Sequence, residues 1–189
     1  SAYRRVITRS SAHLFESQLG QVVSRSISAN ATLAASVPPA STFTVPIPAN
    51  NGLANQLNVV ARIIAGRGGL NVNRQVFFVS VGGFDNHDFL LNDHNVRMQT
   101  VNAAVNAFYQ WLQQLQIENN VTLFTASDFG RTLTSNGDGS DHGWGAHHFV
   151  VGGAVQGGTI YGTFPQVTFN TPEDVGQGSA LLFPETYAQ

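Results

Sequence analysis

The amino-acid sequence predicts an α/β fold with a mainly parallel sheet, and three observations support this prediction. Two short apolar runs, 76–81 (VFFVSV) and 121–126 (VTLFTA), have the length and composition of strands that are buried on both faces. An amphipathic stretch with helical periodicity, 92–117, separates the two runs. A strand, a helix and a strand in this order form a βαβ unit, whose strands pair in parallel through a right-handed crossover.

Three helices are predicted from apolar side chains that recur every three or four residues. The first covers residues 10–36, and residues 37–51, which hold four prolines, form an extended connection after it. The second helix covers 52–66 and ends in a glycine-rich stretch. The third helix, 92–117, has the clearest pattern, with apolar positions Val101, Val105, Phe108, Leu112 and Leu115.

The remainder of the chain is predicted to contain little regular structure. A glycine-rich polar loop covers 133–145, two further short strands cover 148–152 and 159–161, and the chain is loop from 165 onward. A length of 189 residues suits one domain, 1–189, with a sizeable core. Since the chain starts at Ser1 without an initiator Met, we interpret that domain as a piece of a longer protein.

Composition and charge exclude several classes of function. Charged residues make up 11% of the chain, against about a quarter in typical domains, and the net charge is -2. All nine basic residues are Arg, and they form no basic run, so we expect no binding to nucleic acid or to an anionic membrane surface. With no Cys, there is no disulfide framework, thiolate metal site or Cys nucleophile. No apolar run is long enough to span a bilayer.

Candidate metal ligands follow each of the two predicted strands. Asp85 and His87 lie in the motif GGFDNH (82–87), and an Asp oxygen with an imidazole nitrogen suits Zn²⁺, Mn²⁺ or Fe²⁺ better than Ca²⁺. Taken alone, this pair is more often a solvated turn. Asp128 follows the second strand, where it is either a ligand or the cap of a turn. Arg131 either orients an anionic substrate group or neutralises the nearby carboxylates.

A third group of candidates is the stretch DHGWGAHH (141–148). Asp141 and His142 are adjacent candidate ligands in a stretch with little predicted regular structure. His147 is more readily explained as an outer partner or surface residue than as a direct ligand, and His148 begins an apolar strand. Because ligands bind at the carboxyl ends of parallel strands, all three groups are expected to converge on one edge of the sheet. Together they predict a divalent-metal site.

Four motifs carry a family resemblance over roughly two thirds of the chain. They are GGFDNH (82–87), VTLFTASDFGRT (121–132), SNGDGSDHGWGAHH (135–148) and VVGGAVQGGTIYGTFP (150–165). The run from about Leu53 to Pro184 resembles the bacterial family called domain of unknown function 1501, which is grouped with the alkaline-phosphatase and sulfatase superfamily. The resemblance implies a three-layer α/β/α sandwich, of which this chain is the C-terminal part. It also implies export to the periplasm.

By analogy with the superfamily, Asp85 and His87 hold one metal ion and His142 completes its shell. In phosphatase relatives an Asp-His pair follows the second strand, whereas here Asp128 is followed by Phe129, which cannot be a ligand. The resemblance therefore favours a single metal, or a second metal whose shell includes Asp141. The superfamily's nucleophile belongs to an N-terminal strand that has no counterpart in this sequence.

These observations predict a metal-dependent hydrolase of phosphate or sulfate esters, or a fragment of one, acting on a small anionic ester. Arg131 and His147 are the candidate catalytic residues, and the predicted ligands are Asp85, His87, Asp128, Asp141 and His142. Zinc is the expected ion, with manganese, iron or calcium as alternatives. The alternative functions are an exported, non-catalytic binding or scaffold protein that retains a structural metal, and a purely structural exported protein.

Overall fold

A computed structural model describes residues 12–143 and 145–163 of the chain. Helical residues make up 48% of the described part. The helices are α1 (Leu14–Ser36), α2 (Gly52–Ala65), α3 (Arg67–Leu70) and α4 (Leu90–Gln114), with 3₁₀ turns at Ala40–Thr42 and Glu118–Asn120. The strands are β1 (Leu123–Phe124), β2 (Gly130–Ser135), β3 (Ser140–Gly143) and β4 (Val150–Val151).

The helix predictions are confirmed, within a few residues at each end, where the structure describes them. The predicted helix 52–66 is α2, and the predicted helix 92–117 is α4, which begins two residues earlier and ends three residues earlier. The predicted helix 10–36 is α1 from Leu14, although residues 10 and 11 lie outside the described part. Apolar periodicity is a local signal, and it identified helices of more than ten residues correctly.

The prediction of a mainly parallel, three-layer α/β/α sandwich is wrong. The described residues form two sheets of two strands each, and both pairs are antiparallel. β1 pairs with β4, with Leu123 opposite Val151 and Phe124 opposite Val150. β2 pairs with β3 in a hairpin that occupies most of the predicted loop 133–145. The predicted strand 159–161 is irregular, and the predicted terminal loop, from 165 onward, lies outside the described residues.

The failure of the βαβ prediction has a physical cause at the first apolar run. Residues 76–81 belong to no helix or strand, and Val76 and Phe78 are 99% and 94% exposed. The backbone of Ser80 is paired with a side chain: Gln56 Nε2 donates to Ser80 O at 2.8 Å, and Ser80 N donates to Gln56 Oε1 at 3.1 Å. The side-chain amide of Gln56 thus makes the two hydrogen bonds with Ser80 that the backbone of a neighbouring strand would make in a sheet.

The described residues belong to two compact units. The first unit contains residues 12–44 and 58–78. Within it, Gly66 and Gly69 lie so close to Ser36 at the end of α1 that a Cβ atom at either position would collide with that residue. Arg62 Nε donates to Pro38 O at 2.6 Å, so the connection after α1 is held against α2.

The second unit contains residues 45–57 and 79–163, apart from residue 144. Trp111 and Leu112 of α4 are its largest fully buried side chains, and Trp111 Nε1 donates to Val45 O at 2.9 Å. Asn51 joins the first turn of α2 to α4, because its Nδ2 donates to Thr100 O at 2.8 Å and its Oδ1 accepts from Ala54 N at 2.9 Å. These bonds anchor α4, which begins just after the loop that carries Asp85 and His87.

The prediction of one domain over 1–189 remains a prediction. The described helices include none that is both long enough and apolar enough to cross a bilayer.

Candidate metal centre

The loop 82–87 places Asp85 and His87 beside the start of α4. Gly83 has φ +90°, a backbone conformation that suits glycine, and a Cβ atom there would collide with the guanidinium of Arg97. Buried Asn86 holds the loop from the other side, since its carbonyl accepts from Ser140 N at 3.4 Å. The loop is therefore fixed between α4 and the β2–β3 hairpin, with Asp85 and His87 exposed.

The β2–β3 hairpin presents two further side chains to Asp85. Arg131 of β2 and His142 of β3 lie directly opposite each other in the antiparallel register, so that their side chains share one face of the hairpin. His142 Nε2 lies 2.8 Å from Asp85 Oδ1, and Arg131 Nη2 lies 2.9 Å from the same oxygen. The hairpin thus brings Arg131, from the second predicted group, and His142, from the third, into contact with Asp85 of the first.

The geometry of Asp85, His87 and His142 fits a metal ion. His87 Nε2 is 3.1 Å from Asp85 Oδ1, and one ligand atom of each residue lies within 4.8 Å of the others. Zinc binds nitrogen and oxygen at about 2.0–2.2 Å, which separates two ligands of one tetrahedral ion by about 3.4 Å. Two imidazoles and one carboxylate are a donor set typical of zinc and iron sites. These three side chains could therefore hold one divalent ion with little movement.

Asp85 is the electrostatic centre of the cluster. Hydrogen bonding by His142, then by Arg131, lowers the pKa of Asp85 below its usual 3.8, and the nearby imidazoles contribute in the same direction. Burial has a smaller opposing effect on this pKa. Asp85 is thus a carboxylate at neutral pH, which is the form that binds cations.

Arg131 is engaged with the protein rather than directed to solvent. Its Nη1 donates to Ser140 O at 2.5 Å, and its Nη2 donates to Phe84 O at 2.7 Å as well as to Asp85. These bonds tie the hairpin to the loop 82–87 and fix the orientation of the Asp85 carboxylate. Of the two roles that the sequence left open for Arg131, the observed contacts match the pairing with a carboxylate.

Phe129 forms one wall of the cluster. Its ring is stacked on the imidazole of His142, with centroids 3.9 Å apart and planes inclined by 4°. The guanidinium carbon of Arg131 lies 5.1 Å from the centroid of Phe129, and the His142 ring stacks in turn on His87 at 5.0 Å. The sequence showed only that Phe129 cannot be a ligand, whereas in the structure it restricts the rotation of a candidate ligand.

Replacing Phe129 with Leu is expected to weaken metal binding about twofold to tenfold, because a stacked aromatic pair contributes about 0.5–1.5 kcal/mol and here holds the His142 ring. The measurement is a titration with Co²⁺ followed by its visible absorption. Phe78→Leu is the matched control, since that side chain is 94% exposed and lies outside the loop 82–87 and the β2–β3 hairpin. Equal affinity in the two variants would contradict a role for the stack.

The remaining predicted residues lie elsewhere around the cluster. Asp141 contacts His87 Nδ1 at 3.2 Å, on the side of the ring away from Asp85, and is not among the three grouped ligand atoms. Asp128 is exposed in a bend before β2 and is also outside that group. His147 is exposed in the irregular stretch before β4. His148 Nδ1 lies 3.3 Å from Thr125 Oγ1, close to the β1–β4 pair.

Sequence reasoning missed the residues that shape the hairpin. Ser140 is buried and donates through Oγ to Thr132 O at 2.6 Å, while Asp141 N donates to Thr132 Oγ1 at 3.1 Å. Gly139 approaches the carbonyl of His87 so closely that a Cβ atom there would collide with it. The run of small and polar residues at 135–140 was the available signal, and it indicated a turn without indicating what the turn contacts.

Comparison with known proteins assigns the family. A family model described as "Protein of unknown function (DUF1501)" matches residues 14–182. The chain belongs to the DUF1501 family. No curated protein and no solved structure matches it. The matched range contains all of the clustered side chains, so the candidate metal centre of this DUF1501 member lies within the family's domain.

Proposed function

We propose that this DUF1501 chain binds one divalent transition-metal ion, with zinc preferred, through Asp85, His87 and His142. The observation that carries the proposal is the grouping of their ligand atoms within 4.8 Å, centred on a carboxylate with a lowered pKa. The mixed nitrogen and oxygen donors favour Zn²⁺, Mn²⁺ or Fe²⁺ over Ca²⁺, which prefers oxygen ligands.

We further propose that the site hydrolyses phosphate or sulfate esters, as members of the alkaline-phosphatase and sulfatase superfamily do. Catalytic zinc sites have three protein ligands and an open position, whereas structural zinc sites are closed by four. The side chains of Asp85, His87 and His142 are 57%, 46% and 47% exposed, which leaves room for a small ester beside them. A bound divalent ion would supply Lewis acidity toward the ester oxygen.

The competing proposal is a non-catalytic protein with a structural metal, and the contacts of Arg131 favour it. An anion clamp needs guanidinium N–H groups that face the substrate, but both terminal nitrogens of Arg131 donate to Phe84, Asp85 and Ser140. Its Nε makes no hydrogen bond with the described residues but is buried. A catalytic role for this arginine would require those bonds to exchange for bonds to the substrate. For His147, the catalytic role also stays a prediction.

Elemental mass spectrometry of the purified chain, after chelation and reloading with each ion, tests the metal site. We expect about one equivalent of zinc in the wild type, and strongly reduced zinc in His142→Ala. His13→Ala is the control, because His13 is outside the grouped ligands. If the wild type binds none of the ions offered, the metal site and the hydrolase proposal both fail.

Hydrolysis of 4-nitrophenyl phosphate and 4-nitrophenyl sulfate by the loaded protein separates the two proposals. Turnover that requires metal and is lost in His142→Ala would support the hydrolase. Stoichiometric metal that stabilises the fold without turnover would support the structural site. Export to the periplasm is part of both proposals, and the absence of Cys is compatible with an oxidising compartment.

A further inference from the structure

We infer that Asp141 is a positioning residue that directs Nε2 of His87 toward the metal, and is not itself a ligand. This inference rests on the proposed metal site and concerns how one of its ligands is oriented. The observation that supports this inference is that the two nitrogens of the His87 ring face two different carboxylates. Nε2 lies 3.1 Å from Asp85 Oδ1, and Nδ1 lies 3.2 Å from Asp141 Oδ1.

The two ring nitrogens of an imidazole point in different directions. Nε2 is the nitrogen of His87 that faces Asp85, so it is the one placed to bind an ion held by Asp85 and His142. Nδ1 is left to donate its hydrogen to Asp141. A carboxylate in this place selects the tautomer that carries the proton on Nδ1, and it fixes the orientation of the ring whose Nε2 is the ligand. Asp141 thereby acts on the ion through His87.

Asp141 is itself held in place by the β2–β3 hairpin. Asn136 Nδ2 donates to Asp141 Oδ1 at 2.9 Å, and the backbone N of Asp141 donates to Thr132 Oγ1 at 3.1 Å. An ionised carboxylate is purely an acceptor, so one oxygen can accept from both Asn136 and His87. The hairpin therefore presents an oriented acceptor to His87, while the next residue, His142, contributes a ligand atom.

Titration with Co²⁺ and Zn²⁺ of Asp141→Ala and Asp141→Asn tests the inference. Loss of such an outer carboxylate typically weakens metal affinity about 10-fold to 100-fold, and we expect this for Asp141→Ala. Asp141→Asn keeps an acceptor oxygen and should recover part of the affinity. Asp138→Asn is the matched control, because it removes the same charge from an exposed position of the same hairpin. Thermal melts of each apo variant establish that it folds.

Nitrogen NMR of ¹⁵N-histidine-labelled, zinc-loaded protein gives a readout that a merely structural role would not change. We expect zinc on Nε2 and a proton on Nδ1 of His87 in the loaded wild type. In the zinc-free proteins we expect the tautomer with its proton on Nδ1 to predominate in the wild type, and both tautomers to be populated in Asp141→Ala. Zinc on Nδ1 of His87, or wild-type affinity in Asp141→Ala, would overturn the inference while the metal site stands. No metal binding by the wild type would instead refute the proposed function.

Discussion

Asp85→Asn is expected to abolish stoichiometric metal binding. This change keeps the size of the side chain but removes the charge at which His87, His142 and Arg131 converge. It leaves two imidazoles as ligands, and it leaves the guanidinium of Arg131 about 3 Å from a neutral oxygen. We expect affinity to fall by more than the roughly 100-fold that losing an outer partner costs. Elemental analysis and Co²⁺ titration measure the loss.

Asp88→Asn is the matched control for this experiment, because it removes the same charge three residues along the chain. Asp88 is exposed and is not one of the grouped ligands. Its variant should bind metal as the wild type does. Full retention of metal by Asp85→Asn would place the ion elsewhere, and Asp128 and Asp141 would then be the first alternatives to test.

Gly139→Ala is expected to disrupt both the fold around the cluster and the binding of metal. A Cβ atom at this buried position would overlap the carbonyl group of His87 and lie 2.7 Å from Asp88 N. Backbone atoms cannot rotate away as a flexible side chain can, so the loop 82–87 and the hairpin must separate. Forced overpacking costs about 1–3 kcal/mol, and the separation would also draw His87 away from His142.

Chemical denaturation and Co²⁺ titration measure these two consequences. Gly82→Ala is the control, since a Cβ atom there meets nothing within 4 Å and its backbone is not left-handed. We expect the control to match the wild type in both measurements. A Gly139→Ala protein of wild-type stability and affinity would show that the hairpin does not pack on the loop as described.

The helices could be predicted from the sequence because their determinants are local. The spacing of Val101, Val105 and Phe108 defines a helical face irrespective of what covers it. Strand pairing is not local in this sense. The run 76–81 has the composition of a buried strand, yet whether it pairs depends on distant groups such as the amide of Gln56, which no periodicity reveals.

The candidate site was partly predictable for a different reason. Asp85, His87 and His142 were identified by their chemistry and by motifs, and the structure brings these three together even though the predicted parallel sheet is absent. The supporting contacts could not be predicted. That Phe129 stacks on His142, and that Asp141 contacts the far nitrogen of His87, depends on the register of a hairpin that the sequence indicated only as a loop.

The contact between Asp85 and His142 joins positions 57 residues apart, and the segment between them includes all of α4. An ion bound at both ends would close this long loop and act as a cross-link. Restricting a loop of this length removes many conformations from the unfolded chain, and that is also how a disulfide stabilises a small domain. Because this sequence has no Cys, a disulfide cannot cross-link the loop 82–87 to the hairpin, whereas a shared metal ion would.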